Sequence, residues 1–207
     1  MPLELWIAFA LASAALLAIP GPTVMLVVSY ALGRGRVTGW ASVPGVTLGD
    51  FTAMTASLLG AGALLAASAT AFTILKFAGA AYLVWLGIKL WRAKPELDEI
   101  TAEKGRGGRR AIFWQSFVVT ALNPKSIVFF VAFVPQFIDP AAPLLMQFVI
   151  LEATFLTLAA LNVAIWVLAV GTLRERFRNP ATLKLVNRIG GGFLIGAGLL
   201  TAAMRRV

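Results

Sequence analysis

Two proline-containing interruptions divide long apolar segments of this chain. The first is Ile19-Pro20-Gly21-Pro22-Thr23, and the second is Leu122-Asn123-Pro124-Lys125-Ser126. Because proline lacks a backbone N–H and its ring collides with the preceding turn, each site predicts a break in a helix. Within a membrane, irregular backbone persists only where it is buried in protein or lines a wet cavity. Breaks at corresponding positions of two halves of a chain are typical of binding sites in membrane transporters.

Composition indicates an all-α integral membrane protein. Of the 207 residues, 59% are hydrophobic and only 13% are charged, whereas about a quarter of the residues of soluble domains are charged. The chain contains neither Cys nor His, which excludes thiol redox chemistry, covalent haem attachment, Cys/His zinc sites and histidine proton relays. We therefore expect no cofactor and no metal site.

The apolar segments predict six transmembrane helices, since about 20 apolar residues span the hydrocarbon core. They cover residues 4–30, 39–67, 72–91, 112–137, 143–171 and 184–204. No cleavable signal is expected, because the first segment lacks a basic leader and exceeds signal length.

The distribution of basic residues predicts the orientation. Most of the 18 Lys and Arg residues lie after the first segment, after the third and between the fifth and sixth, while loops 68–71 and 138–142 contain none. By the positive-inside rule the basic loops are cytoplasmic and both termini lie on the outer side of the membrane. The net charge of +9 therefore reflects topology, not nucleic-acid binding. Arg205 and Arg206 oppose this orientation, and Lys76 is expected to snorkel from the outward end of its helix.

A repeat relates the two halves. At an offset of 102 positions Pro22 aligns with Pro124 and Asp50 with Glu152. A unit of three helices must enter the membrane in the opposite sense the second time, so the chain is predicted to be two inverted three-helix repeats. The predicted units are residues 1–92, a charged cytoplasmic linker at 93–111, and residues 112–207.

Asp50 and Glu152 are the acids placed in mid-membrane. Each lies about ten residues into its segment, roughly 15 Å at the rise of an α-helix and near the midplane of the bilayer. Ionisable groups there are costly and usually mark a substrate, ion or proton pathway. We expect them to bind protons or an ammonium group. The alternative is a structural role, in which an acid pairs with Lys125 or caps a broken helix.

Lys125 follows Pro124 directly and is the candidate partner for a substrate carboxylate or for one of the acids. Thr23 and Asn123 flank the breaks and either repair freed backbone groups or contact substrate. With Pro20, Gly21, Pro22 and Pro124 shaping the breaks, these residues form the predicted substrate site, which suits an α-amino acid. Four amides outside the breaks are assigned to interhelical or interfacial hydrogen bonds: Gln115, Gln136, Gln147 and Asn162. The pairs Gly45/Gly49 and Gly192/Gly196 predict close helix packing.

Several motifs are similar to those of the LysE/RhtB amino-acid exporters. In chain order they are Ala18-Ile19-Pro20-Gly21-Pro22, Gly45 to Asp50, Leu75 to Ile88, Leu122 to Ser126, Phe133 to Phe137, and Gly190 to Gly198. The resemblance covers essentially the whole chain. It implies export of amino acids or close derivatives across the bacterial inner membrane, driven by proton entry, and is compatible with a homodimer. It does not distinguish among the amino acids that family members handle.

Two other functions are alternatives to amino-acid export. A channel or metal-cation exporter of the same superfamily is the main alternative, although the absence of Cys and His argues against soft metals and Lys125 against a bare cation path. An intramembrane enzyme is not expected, because Gly-x-Ser-x-Gly and His-Glu-x-x-His are both absent. The predicted partners are a small amino acid, protons and membrane lipid.

Overall fold

The computed structural model describes residues 1–93, 108–139, 142–177 and 180–203, which form helices joined by short connections. Most of the predicted linker, residues 94–107, lies outside the described residues, as do Arg205 and Arg206. The helices are α1 (Leu3–Ala18), α2 (Pro22–Arg34), α3 (Arg36–Ala67), α4 (Ala69–Arg92), α5 (Arg109–Ala121), α6 (Pro124–Val128), α7 (Leu144–Phe177) and α8 (Pro180–Ala203). A π-helical turn, Phe129–Phe133, and a 3-10 turn, Val134–Phe137, continue α6.

Both predicted breaks are present. Residues 3–18 and 22–31 form a pair of helices bent by 55°, and residues 109–121 and 124–137 form a pair bent by 40°. In each pair the second helix begins with the proline, where the missing N–H leaves no hydrogen bond unmade. The prolines thus end one helix and start the next, as the sequence predicts.

Within the described residues, two helical stretches are long and apolar enough to cross a membrane by length and composition, Ala69–Arg92 and Leu144–Ala169. Counting each bent pair as one span raises the number to four. The all-α membrane class is confirmed. The count of six spans and the inverted repeat stay predictions.

The main apolar core joins α1, α7 and the segment after the second break. The Phe130 and Phe155 rings meet edge to face with centroids 4.8 Å apart, and Phe9 contacts Phe137 in the same way at 5.6 Å. A smaller cluster of Val27, Val46, Val163 and Val167 packs α2, α3 and α7 together. The candidate site lies between these two clusters.

Glycines allow two helix pairs to approach closely. A Cβ at Gly49 would lie 2.8 Å from the Phe117 carbonyl oxygen of α5, so α3 and α5 pack backbone to backbone there. Between α4 and α8, the corresponding atom of Gly87 would lie 2.6 Å from the Gly191 carbonyl oxygen. Packing at Gly45 and Gly49 is therefore confirmed. Of the pair Gly192/Gly196, Gly192 lies against the Trp91 ring, 3.2 Å from where a Cβ would be, whereas Gly196 has open space beside it. The backbone of α8 approaches α4 closely at Gly191.

Candidate functional site

The first break leaves carbonyl groups without helical partners. α1 ends at Ala18, Ile19 is extended, and Gly21 is extended before α2 begins at Pro22. The last turn of any helix carries carbonyls with no intrahelical donor. The Leu16 carbonyl oxygen accepts one hydrogen bond from the Ile19 backbone N–H at 3.3 Å and a second from the Lys125 ammonium at 3.0 Å. The Ile19 carbonyl oxygen accepts from the same ammonium at 2.9 Å. A lysine from the second break thus caps the helix that ends at the first.

The second break is organised by Asn123. Its side-chain oxygen accepts a hydrogen bond from the backbone N–H of Lys125 at 3.1 Å, which caps the start of α6. Its amide nitrogen donates to the hydroxyl oxygen of Thr23 across the site at 3.4 Å. The hydroxyl of Thr120 donates to the same oxygen at 3.2 Å. Thr23 and Asn123 therefore repair the breaks and join them.

Gly21 lies against the lysine head group. A Cβ at this position would be 3.3 Å from the Lys125 ammonium nitrogen and 3.5 Å from its neighbouring carbon, closer than side chains usually pack. The backbone at Gly21 is extended, a conformation open to any residue. Space at Gly21 is therefore limited by the Lys125 head group and not by the backbone angles of the glycine, and a side chain there would displace the ammonium by a few tenths of an ångström.

Asp50 lies on α3 facing the two breaks and is only 3% exposed. Among the described residues, its carboxylate makes no hydrogen bond and has no lysine or arginine nitrogen within 4.0 Å. Lys125 is nevertheless close enough to attract it electrostatically. A buried carboxylate without a direct hydrogen-bond or ion-pair partner lowers the stability of the folded state. Such a group points to a ligand that supplies the missing donor.

These residues line a partly open cavity of about 30 Å³, enough for one or two water molecules. Its wall combines apolar and polar side chains, and Asp50 is the one carboxylate among the described residues that line it. The lining residues are Leu16, Leu17, Gly21, Thr23, Val24, Val46, Asp50, Asn123, Lys125, Ser126, Ala159, Asn162 and Val163. The cavity therefore has a mixed wall, with the Lys125 ammonium at the second break and the Asp50 carboxylate on α3.

The structure brings together five of the nine predicted site residues. Gly21, Thr23, Asp50, Asn123 and Lys125 line the cavity. The three prolines, Pro20, Pro22 and Pro124, shape its backbone without lining it.

Glu152 also lies outside the lining. It accepts a hydrogen bond from the Thr55 hydroxyl at 2.6 Å. Glu152 is therefore partnered by α3 at a different point, while Asp50 faces the cavity.

Asn162 contributes more than the sequence suggested. It lines the cavity from α7, and its amide makes no hydrogen bond to any described residue. The sequence does contain a signal for this role, because an amide side chain in an otherwise apolar membrane segment needs a polar partner. Gln115 accepts an interhelical hydrogen bond from the Tyr30 hydroxyl, as predicted, and Gln147 bonds to the Asp139 backbone in the connection before α7. Gln136 departs from the prediction: its amide nitrogen donates to the Ala132 carbonyl oxygen of its own segment, and its buried amide oxygen has no hydrogen-bond partner among the described residues.

Lys76 does not snorkel as predicted. It is 5% exposed and lies on the buried face of α4, with its ammonium 5.9 Å from the centre of the Phe77 ring.

No group of three or more acidic, histidine or cysteine residues with the geometry of a metal site occurs among the described residues.

Comparison with known proteins gives a family match. The family model described as LysE type translocator matches residues 14–205. The homoserine/homoserine lactone efflux protein of Salmonella typhi is 34% identical over 209 residues, covering 99% of each chain. The leucine efflux protein of Enterobacter sp. (strain 638) is 30% identical over 177 residues, 85% of this chain and 82% of the relative.

A further relative is named only as an uncharacterized membrane protein, from Vibrio cholerae, and is 33% identical over 205 residues, covering 99% of this chain and all of the relative. No solved structure matches the chain.

Proposed function

The chain belongs to the LysE type translocator family, and we propose that it exports amino acids from the cytoplasm by secondary active transport. The resemblance indicated by the motifs is confirmed, and the chain is a membrane transporter, not an enzyme. The observation that carries the proposal is the buried carboxylate of Asp50, which has no direct partner among the described residues and faces a cavity between two helix breaks.

The charges of the cavity suit a zwitterion. Asp50 supplies a negative charge for an α-ammonium group, and Lys125 supplies a positive charge for an α-carboxylate. A ligand with both groups satisfies both side chains without adding net charge to a poorly solvated site. The proposed substrate ligands are therefore Asp50, Lys125, Thr23, Asn123 and the backbone at Gly21, with Pro20, Pro22 and Pro124 shaping the breaks.

The substrate class proposed is amino acids with uncharged side chains. A basic side chain would bring a second cation into a cavity whose described lining has one carboxylate. The remaining lining is mostly apolar, with Asn162 as an additional polar group. Relatives named as efflux proteins for homoserine and homoserine lactone and for leucine support this class, since none of these compounds has a charged side chain.

The proposed architecture is six spans in two inverted repeats, residues 1–92 and 112–207, joined by a cytoplasmic linker at 93–111. Packing of the third helix of each repeat supports it. Gly79 of α4 packs against Ala132 after the second break, and Gly190 of α8 packs against Ile19 at the first. We further propose an inner-membrane location with both termini periplasmic, and a homodimer as the assembled form.

Proton entry is the proposed driving force, with Asp50 and Glu152 as the coupling residues. Asp50 is buried in the cavity, and Glu152 is partly buried against Thr55 of α3. A carboxylate in such a position can take up and release a proton as the cavity changes access. Alternating access would rock one repeat against the other around the breaks.

The test is export from peptide-fed bacteria. Amino acids released by cells expressing the protein, its Asp50→Asn variant or an empty vector are quantified by mass spectrometry. We expect selective release of one or a few neutral amino acids, lost in the variant. Release equal to empty vector, with the protein detected in the membrane, would contradict amino-acid export. Large uncoupled ion currents in reconstituted membranes would instead favour a channel.

A further inference from the structure

Hydrogen bonds from two side chains of the second break, Lys125 and Asn123, join it to the first break. Lys125, the second residue of α6, reaches across the cavity to the end of α1. Two of its three ammonium protons are directed to the Leu16 and Ile19 carbonyl oxygens. The hydrogen bond from Asn123 to Thr23 runs in the same direction at 3.4 Å and is the weaker contact, since it joins two neutral groups.

The cavity in this state is too small for the proposed substrate. A volume of about 30 Å³ admits one or two water molecules, and any amino acid has several times as many non-hydrogen atoms. The breaks must therefore separate before an amino acid can be held between them. The contacts that join the breaks are the ones that must loosen.

We propose that Lys125 is a latch that holds the two breaks together, and that the carboxylate of the substrate releases it. The inference rests on the proposed export function. A carboxylate carries a full negative charge, whereas each carbonyl at the end of α1 carries only a partial one. The incoming carboxylate forms an ion pair with the Lys125 ammonium. The Leu16 and Ile19 carbonyl oxygens then accept hydrogen bonds from water that enters the widened cavity in place of the lysine.

Two observations favour a releasable contact over a fixed brace. Asp50, the carboxylate that lines the cavity, is not within ion-pairing distance of any described lysine, so the Lys125 ammonium has no full counter-charge in direct contact. Gly21 lies close beside the ammonium, so the lysine approaches the first break without a side chain in its way. Lys125 is thus a positioning residue in the closed state and a ligand for the carboxylate in the open one.

The test uses a thiol reporter at the first break. The chain has no native cysteine, so Ile19→Cys introduces a single thiol. Ile19 is 4% exposed and is not among the residues that line the cavity, so bound substrate does not shield it. The protein is reconstituted in liposomes, and its modification by methyl methanethiosulfonate is followed by mass spectrometry. L-homoserine or L-leucine is added, and transport is measured in the same liposomes.

Three outcomes are expected. In the reporter alone, saturating amino acid accelerates labelling about tenfold or more, since hydrogen bonds to a charged group hold the latch. Adding Lys125→Met gives the fast rate with or without amino acid, because the latch is gone. Adding Lys125→Gln gives the slow rate in both conditions, because an amide can still donate to the carbonyls but has no charge to attract a carboxylate. The matched control, Lys76→Met, removes the buried lysine of α4 and should label like the reporter alone.

The inference is overturned if Lys125→Met labels as slowly as the reporter alone, or if Lys125→Gln still responds to amino acid. It is also overturned if the reporter transports amino acid with no change in labelling. If the reporter and the unsubstituted protein both fail to transport amino acid, the proposed function fails instead. Should Lys125→Met not fold, the Lys125→Gln variant and the amino-acid response of the reporter still decide the question.

Discussion

Replacing Asp50 by Asn should slow transport without lowering the thermal stability of the protein. The substitution keeps the size and shape of the side chain and removes its charge. Asp50 is 3% exposed, and its carboxylate makes no hydrogen bond to a described residue. Because a charge in such a place opposes folding, we expect Asp50→Asn to melt at the same temperature as the parent or at a higher one. Buried active-site groups commonly show this exchange of stability for function.

The loss of transport follows from the contact that the carboxylate is proposed to make. A hydrogen bond between charged groups in a poorly solvated site contributes about 1.5–3 kcal/mol. Asparagine can still offer a neutral oxygen to an ammonium group, so part of the contact survives. The rate of export at low substrate concentration should therefore fall about tenfold to a hundredfold.

The assay is uptake of radiolabelled L-homoserine or L-leucine into inverted membrane vesicles, alongside thermal unfolding of the purified protein. Glu4→Gln is the matched control, because it makes the same carboxylate-to-amide change at an exposed position in the first turn of α1. It should leave both measurements unchanged. Asp50→Asn with normal transport and a lower melting temperature would show that Asp50 is a structural acid and would refute this reasoning.

Three further substitutions test other contacts. Gly21→Ala puts a methyl group 3.3 Å from the Lys125 ammonium and should slow export about twofold to tenfold. The same substitution should make the thiol reporter label faster without substrate, and unchanged labelling would contradict the latch. Glu152→Gln can still accept the Thr55 hydrogen bond but cannot titrate, so export should persist down a concentration gradient and lose its response to an imposed pH gradient. Gly87→Ala forces a methyl group to 2.6 Å from a carbonyl oxygen of α8 and should destabilise the protein by about 1–3 kcal/mol in denaturant unfolding, whereas Gly60→Ala, with open space beside it, should not.

The breaks were predictable because local chemistry determines them. Pro22 and Pro124 each follow a residue suited to the position before a helix, Gly21 and Asn123, and each starts a new helix. Pro44 shows the limit of reading prolines alone. It follows a valine and lies inside α3, which runs from Arg36 to Ala67 without interruption. Membrane helices tolerate such a proline where neighbouring groups satisfy the freed backbone.

The partners of Lys125 could not be read from the sequence. A charge in an apolar segment directs attention to opposite charges, so a substrate carboxylate or one of the acids was the expected partner. Its direct hydrogen bonds are to the carbonyl oxygens of Leu16 and Ile19. Every residue has a carbonyl group, and only the three-dimensional course of the first break directs these two toward the lysine. A hydrogen bond from a side chain to a backbone carbonyl therefore cannot be predicted from the residue types in the sequence.

Glu152 illustrates a different limit. Its alignment with Asp50 at a fixed offset compares positions along the chain, and equal depth in two segments does not place two side chains in one cavity. In the structure the Thr55 hydroxyl partners Glu152, while Asp50 faces the breaks. Asn162 was underrated for the converse reason, because no motif contains it and only the packing of α7 brings it to the cavity.

The order of events in substrate recognition follows from which groups already have partners. In the closed state the Lys125 ammonium is held by two carbonyl oxygens, whereas the Asp50 carboxylate has no direct partner among the described residues. An arriving amino acid can therefore bind its ammonium group to Asp50 without breaking any existing contact. Its carboxylate is then held close to Lys125, where a high local concentration favours exchange with the carbonyls. A ligand without the ammonium group would have to break the latch with no prior anchor. Asp50 thus selects ligands that carry an ammonium group, and Lys125 makes the separation of the two breaks depend on the carboxylate of the ligand.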